Sequence, residues 1–312
     1  MTEKTVRIHL DNIPFHAQGR AVALGFFDGI HAGHEEIIKR MAKTARMNGL
    51  VSCVQTFTGF TKGDGRCLTT LDERLDILTE LGVDEMLVID FSEKFRNTPA
   101  EDFFNNTLRF VLNARALFAG DDYRFGAGAS GDSELLKSLG REASIRVDIV
   151  RAKLMEGRRI SSTWMKEALG EGDVTTVSSL CNGRAFGYEG KVVKGKQAGR
   201  GFGFPTANLT IPEGKITVRR GVYVSRVIMG KRILYGVTNI GLRPTVEDAV
   251  NDLAETFIFD LDEDIYGAKI RVELLQFLRP EKCFGSASEL KEAVEYNKKQ
   301  AMEYLVKSGI IG

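Results

Sequence analysis

The sequence predicts two domains of different class. The first is α/β with a parallel sheet, and the second is a small antiparallel β-barrel with a C-terminal helix. Three observations carry this reading. A length of 312 residues suits two domains of roughly 150 residues each. Short apolar runs alternate with helical patterns over the first half of the chain. Beyond residue 183 the pattern becomes short strands punctuated by glycine.

In the first part, residues 21–27 form a continuous apolar run between Gly-Arg and Asp-Gly, as in a strand buried on both faces. Ile37, Ile38, Met41, Ala42 and Ala45 follow at helical spacing, and Gly49 is placed to end that helix. Residues 51–57 supply the next strand, 71–81 a helix and 86–91 another buried strand. Residues 100–111 read as a further helix ahead of the run 116–119. Strand, helix, strand, helix requires crossover connections, hence a parallel sheet with helices on its faces. In the second part, residues 222–229 and 232–238 read as a hairpin around Gly230-Lys231, a loop suited to a type II′ turn. Residues 255–261 and 269–278 add short strands. Ser286 and Glu289 make a capping box, and Leu290, Val294, Ala301 and Leu305 give the last helix an apolar face. The boundary falls between Gly170 and Gly183, giving domains 1–180 and 183–312.

Composition narrows the function. The 43 Lys+Arg against 42 Asp+Glu leave a formal charge of +1, so no global basic field points to nucleic acid or a membrane surface. The four cysteines (Cys53, Cys67, Cys181, Cys283) form no C-x-x-C pair and have no histidine at zinc spacing. They read as reduced, mostly buried thiols of a cytoplasmic protein. The opening residues lack an apolar signal core, and no run of about 18 apolar residues occurs.

Four segments are candidates for chemistry. Gly25-Phe-Phe-Asp28-Gly29-Ile-His31-Ala-Gly33-His34 lies where the first buried strand gives way to a helix. Helix-start N–H groups suit a phosphate there, glycines admit close approach, and two imidazoles offer donors to developing charge. Helix capping, or two zinc ligands without partners, are the other readings of the same histidines. Gly126-Ala-Gly128-Ala-Ser-Gly131, with Asp148 downstream, has the spacing of a dinucleotide loop, but Asp121-Asp-Tyr-Arg-Phe125 separates it from its strand. Gly190 to Lys196 has P-loop spacing, yet Gln197 replaces the Ser/Thr that ligates Mg²⁺. In Gly199-Arg-Gly-Phe-Gly-Phe-Pro-Thr206-Ala-Asn208, two oxygens fall on one face of an extended segment. They suit a hard cation such as Mg²⁺, or else a polar turn.

Taken together these segments resemble the prokaryotic bifunctional riboflavin kinase/FMN adenylyltransferase (FAD synthetase) family over nearly the whole chain. The first half matches through residues 25–34, Gly120-Asp-Asp-Tyr-Arg-Phe-Gly126 with Gly131-Asp132, and Arg159-Ile-Ser-Ser162-Thr163. The second matches through residues 199–209, Asn239-Ile-Gly-Leu-Arg-Pro-Thr245, Glu255, Asp264-Ile-Tyr-Gly267 and Leu278-Arg279. The resemblance implies a nucleotidyltransferase domain with a Rossmann-like sheet, then a riboflavin kinase barrel. It implies phosphorylation of riboflavin to FMN, then adenylylation of FMN to FAD with release of pyrophosphate. ATP is co-substrate, Mg²⁺ the cofactor, and the partners are small molecules.

By the same resemblance, Thr206 and Asn208 hold Mg²⁺ and Glu255 is the base of the kinase step. Lys196 and Gly201 belong to a loop over the nucleotide. His31 and His34 stabilise the α-phosphate; Gly25, Phe26, Asp28, Gly33, Arg159, Ser162 and Thr163 bind the nucleotide. Phe125, Gly126, Asp132 and Arg279 line flavin pockets. The chain departs from the family pattern at residues 58–61, which read Thr-Gly-Phe-Thr in place of Asp-Pro-His-Pro, and at Lys166 and Lys194. Those departures define the alternative, a riboflavin kinase whose first domain adenylylates weakly or not at all.

Overall fold

A computed structural model describes residues 4–58, 65–193, 206–243 and 251–312. The chain divides into two compact units, Met1–Ser162 and Thr163–Gly312. In the first, strands β1 (Val6–His9), β2 (Arg20–Leu24), β3 (Val51–Thr58), β4 (Glu85–Asp90), β5 (Ala114–Gly120) and β6 (Arg146–Val150) form a parallel sheet. Their order is β1-β4-β3-β2-β5-β6. Helices α1 (Ala32–Asn48) and α2 (Leu71–Glu80) belong to this unit, as do the short α3 (Glu93–Arg96) and α4 (Ala100–Asp102) and then α5 (Ser133–Glu142). A two-stranded ribbon, β7 (Leu154–Met155) and β8 (Arg158–Arg159), ends the unit.

Apolar side chains fill both faces of the sheet. Ala21, Ala23, Val54, Met86 and Val88 pack with Ile38, Met41 and Leu78 on one side. Val22, Leu24, Leu87 and Leu117 pack with Phe103, Phe104, Leu108 and Phe125 on the other. Burial on both faces is why these strands read as unbroken apolar runs. Sequential pairing runs from β2 to β3 to β4, then returns to β5 on the other edge of β2. The order therefore reverses at β2/β5, the point where open α/β sheets bind ligands.

Two elements differ from the sequence expectation. The first buried strand ends at Leu24, because Phe27 (φ 53°), Gly29 (φ 79°) and Ile30 (φ 40°) turn the chain through the left-handed region. The expected helix over 100–111 is α-helical only at Ala100–Asp102 and continues as a π-helix, Phe103–Val111. The expected helix over 71–81 is α2, and its start carries a full capping box, Thr70 with Glu73.

The second unit opens on the helices α6 (Ser162–Glu171, whose first residue closes the first unit) and α7 (Val174–Leu180). Strands β9 (Gly187–Lys191), β10 (Thr206–Thr210), β11 (Gly221–Met229), β12 (Arg232–Arg243), β13 (Asn251–Ile258) and β14 (Lys269–Arg279) follow. They are antiparallel in the order β10-β13-β12-β11-β14-β9. A bridge between Val193 and Asn208 joins the two ends of that order, nearly closing a barrel. Met229 pairs with Arg232, so Gly230-Lys231 is the expected two-residue loop, with Gly230 at φ 59°. Inside, the hydroxyls of Ser225, Thr238 and Thr256 satisfy one another at 2.7 and 2.9 Å with no solvent exposure. Helix α8 (Ala287–Lys307) sets Ala301 and Leu305 against Val222, Val224, Val237 and Phe259. At its start Ser286 caps Glu289, whose carboxylate reaches Gly285 rather than Ser286.

Candidate functional site

The turn between β2 and α1 carries the strongest candidate residues of the first unit. It leaves the sheet at the β2/β5 switch point and delivers His31 to the N-cap position of α1. The side chain of His31 accepts from the His34 N–H at 3.3 Å through Nδ1. That bond places the ring proton on Nε2, leaving Nε2–H as a donor. The His34 ring stacks on His31 with centroids 3.7 Å apart and planes at 15°, and Phe27 meets it edge-on. Gly33 leaves room for this arrangement, since a Cβ there would sit 3.2 Å from the His31 ring.

Both imidazoles are held neutral. Burial lowers the His31 pKa to about 4, with the Arg159 charge acting in the same direction. His34 lies well below the usual histidine value through desolvation of its ring, then the His31 and Arg74 charges. Two stacked rings could not both carry charge without strong repulsion. A neutral imidazole can still donate one N–H bond, and fixed cations lie nearby.

Asp28 and Arg74 hold the turn. The Asp28 carboxylate accepts from the N–H groups of Leu68 and Thr69 and from the Thr69 hydroxyl, at 2.9–3.2 Å. Arg74, 2% exposed, donates to the Phe26 carbonyl at 3.1 Å, the Thr69 carbonyl at 3.2 Å and the Thr56 hydroxyl. Its guanidinium lies over the Phe26 ring at 5.0 Å. Ser162 Oγ donates to the Asp28 carbonyl at 2.9 Å, which brings the first residue of α6 to the same turn. Thr163 follows on α6 and is exposed. Arg159 is gripped by Asp121 at 2.8 Å and Asp122 at 2.9 Å, within electrostatic reach of His31. The first unit thus gathers Asp28, His31, His34, Arg159 and Ser162. Sequence reasoning missed Thr69 and Arg74, which lie outside every quoted motif, and read Thr56 only as a strand residue leading into the departure at residues 58–61.

The predicted flavin residues of this unit have clear structural duties. Phe125 is buried against Phe103 with centroids 6.0 Å apart, and Asp132 caps α5 through the N–H groups of Glu134 and Leu135. Gly126 sits at φ 75°, and a Cβ there would lie 2.6 Å from Ala100. Gly126→Ala is expected to destabilise the first unit by about 1–3 kcal/mol, read as a lower urea midpoint. An unchanged midpoint would mean that the turn relaxes freely.

In the second unit the register assembles the other set. Asn208 pairs with Glu255, Glu255 with Asn239, Asn239 with Val222, and Val222 with Arg279. Directly paired residues project from one face, so these five form a single row across the barrel wall. Thr206 is two residues from Asn208 on that face. Strand spacing of about 4.8 Å makes Asn208 and Glu255 immediate neighbours. Val222 in the row, and Val237 and Val224 beside it, pack against α8. Arg279 donates to Asn297 of α8 at 3.1 Å. Asn208 is 2% exposed, its Nδ2 donates to the Thr206 carbonyl at 3.2 Å, and its Oδ1 is buried without a hydrogen-bond partner among the described residues. A buried acceptor left empty costs about 1–3 kcal/mol, so an outside group suits it. Lys196 and Gly201 of the expected nucleotide loop lie outside the described residues, as do Gly59, Phe60, Thr61 and Lys194.

Among the described residues no group of His, Cys, Asp and Glu has the form of a metal cluster, and no helix is long and apolar enough to cross a membrane. A donor pair of Thr hydroxyl and Asn amide oxygen still fits Mg²⁺, which keeps waters and leans on substrate phosphates. The empty Asn208 Oδ1 is the observation that favours this fit.

Comparison with known proteins agrees with both halves. The family model described as FAD synthetase matches residues 14–164, and the one described as riboflavin kinase matches residues 182–305. The bifunctional riboflavin kinase/FMN adenylyltransferase of Escherichia coli (strain K12) is 35% identical over 295 residues, covering 92% of this chain and 93% of the relative. That of Bacillus subtilis (strain 168) is 29% identical over 312 residues, covering 96% and 98%. A solved structure described as a macrolide-efflux protein from Streptococcus pneumoniae superposes with a TM-score of 0.85 at 30% identity, covering 96% of this chain and 99% of that one. With both halves matched in order, the chain belongs to the bifunctional riboflavin kinase/FMN adenylyltransferase family.

Proposed function

We propose that residues 183–312 phosphorylate the 5′-hydroxyl of riboflavin with ATP and that residues 1–180 join the resulting FMN to AMP from a second ATP. In the first reaction the hydroxyl oxygen attacks the γ-phosphorus, the bond to the β-phosphate oxygen breaks, and ADP leaves. Glu255 takes the hydroxyl proton. Thr206 and Asn208 hold Mg²⁺, which when bound neutralises phosphate charge, and Lys196 and Gly201 cover the nucleotide. Arg279, four strands along the row and braced by Asn297, faces the flavin ring. The observation that best supports this assignment is the row itself, which sets an empty buried oxygen beside a carboxylate.

In the second reaction an FMN phosphate oxygen attacks the α-phosphorus and pyrophosphate leaves, so no protein base is required. The neutral His31 and His34 donate to the α-phosphate, while Arg159, Ser162 and Thr163 contact the phosphates. Gly25, Phe26 and Gly33 let the nucleotide approach, with Asp28 shaping the turn. Phe125, Gly126 and Asp132 form the wall of the flavin pocket. The setting is the cytoplasm, where ATP is abundant and thiols stay reduced. No observation favours a kinase with an inactive first unit.

Product analysis by chromatography tests the reading. Purified protein is incubated with ATP, Mg²⁺ and either riboflavin or FMN. FAD is expected from both substrates. FMN from riboflavin, with no FAD from either, would leave only the kinase.

A further inference from the structure

We propose that Arg74 is a positioning residue for adenylyl transfer: its guanidinium locks the strained turn that carries His31 and His34. The inference rests on the adenylyl-transfer reading above. Three of the four residues 27–30 have positive φ, and two of these, Phe27 and Ile30, are not glycine. Such a backbone persists only where its surroundings over-determine it. Arg74 supplies much of that determination from α2, outside the turn.

Its fork ties three segments at once. The Phe26 carbonyl belongs to the turn, the Thr56 hydroxyl to the end of β3, and the Thr69 carbonyl to the segment before α2. Thr56 also donates to the Phe26 carbonyl at 2.7 Å, and the Gly29 N–H donates to the Thr69 hydroxyl at 3.0 Å. Asp28 Oδ1 lies 3.5 Å from the guanidinium and is bound to the same Thr69. A lysine has one nitrogen and cannot reach three carbonyl and hydroxyl partners in these directions. Released from Arg74, the turn relaxes toward ordinary dihedrals and carries the imidazoles with it. A displacement of about 1 Å at reacting groups costs on the order of 100-fold in rate.

Charge adds a second signature. His34 is faced by Arg74 and by the stacked His31, and His31 by Arg159, which Asp121 and Asp122 hold. Glu35 beside them on α1 pairs with Lys39. Removing the Arg74 cation makes His34 easier to protonate, and a protonated pair no longer has the wild-type donor arrangement. The acid side of the rate profile should therefore move to higher pH.

The test uses full-length Arg74→Met and Arg74→Lys, with FAD formation from FMN followed from about pH 3.5 to about pH 9, so that the acid limb falls inside the window. Riboflavin phosphorylation in the same samples is the internal control. Arg74→Met should lose about 100-fold in kcat for FAD formation with KM values little changed, and its acid limb should move up. Arg74→Lys, which keeps the charge, should hold the acid limb near wild type and recover part of kcat. Wild-type kcat and pH profile in Arg74→Met would overturn the proposal. Equal losses in both variants with an unmoved acid limb would also overturn it, reducing Arg74 to a general stabiliser of the fold. Wild-type protein that forms no FAD would remove the underlying reading, and the positioning role with it.

Discussion

Glu255→Gln is expected to stop FMN formation from riboflavin while FAD still forms from supplied FMN at the wild-type rate. Glutamine keeps the shape of the side chain and its place on β13, between Asn208 and Asn239. It cannot take a proton from the ribityl hydroxyl. Loss of a positioned base removes on the order of 10²–10⁴ in rate. The selectivity follows from the fold, because the α/β unit has its own cores and its own candidate groups. FMN and FAD separated by chromatography read both activities in one sample. Retained riboflavin phosphorylation would show that Glu255 serves the strand, not the reaction.

The converse loss is expected from the histidines. His31 also caps α1, so alanine there would mix a lost cap with lost chemistry. His31→Asn keeps a capping oxygen and removes the imidazole. Combined with His34→Ala, it should lower FAD formation by about 10²–10³ and leave riboflavin phosphorylation intact. Full-rate FAD synthesis would reduce both residues to helix-start packing.

The same pair sets a pH dependence of stability. The His31 pKa falls from 6.5 to about 4 on folding, and His34 falls as well. Below pH 6.5 the unfolded chain therefore binds protons that the folded chain does not. Stability present above that pH declines as the pH falls toward 4. The double variant should show a shallower decline between pH 6.5 and pH 4 in urea titrations. An identical slope would mean that these imidazoles titrate normally in the folded protein.

Much of this was legible because burial and turn chemistry leave local marks. The unbroken runs in β2, β4 and β5 follow from burial on both faces, and the Gly230-Lys231 loop from its required dihedrals. Thr206 and Asn208 could be placed on one face because strand alternation is strictly two. The π-helix was not legible: Phe103, Phe104 and Leu108 suit a wider turn as well as a repeat of 3.6. The end of β2 was misjudged because Phe27 looks like a strand residue and adopts a positive φ under tertiary control. Arg74 was invisible for a similar reason. A single arginine on an amphipathic helix reads as a solvated charge until the fold buries it. The row from Asn208 to Arg279 joins residues from distant parts of the chain, and only pairing register reveals it.

The strand order also has a consequence for synthesis. β2, whose C-terminal end delivers His31, lies between β3 and β5. β3 follows it closely in the chain, whereas β5 begins only at Ala114. A growing polypeptide, lengthening by about 5–20 residues per second, can pair β2 with β3 early. Its other edge stays open until Gly120 has left the ribosome. Any nascent or truncated chain ending before that residue exposes the apolar edge of β2 that β5 would cover. Such fragments should be clients of chaperones and proteases rather than partial enzymes.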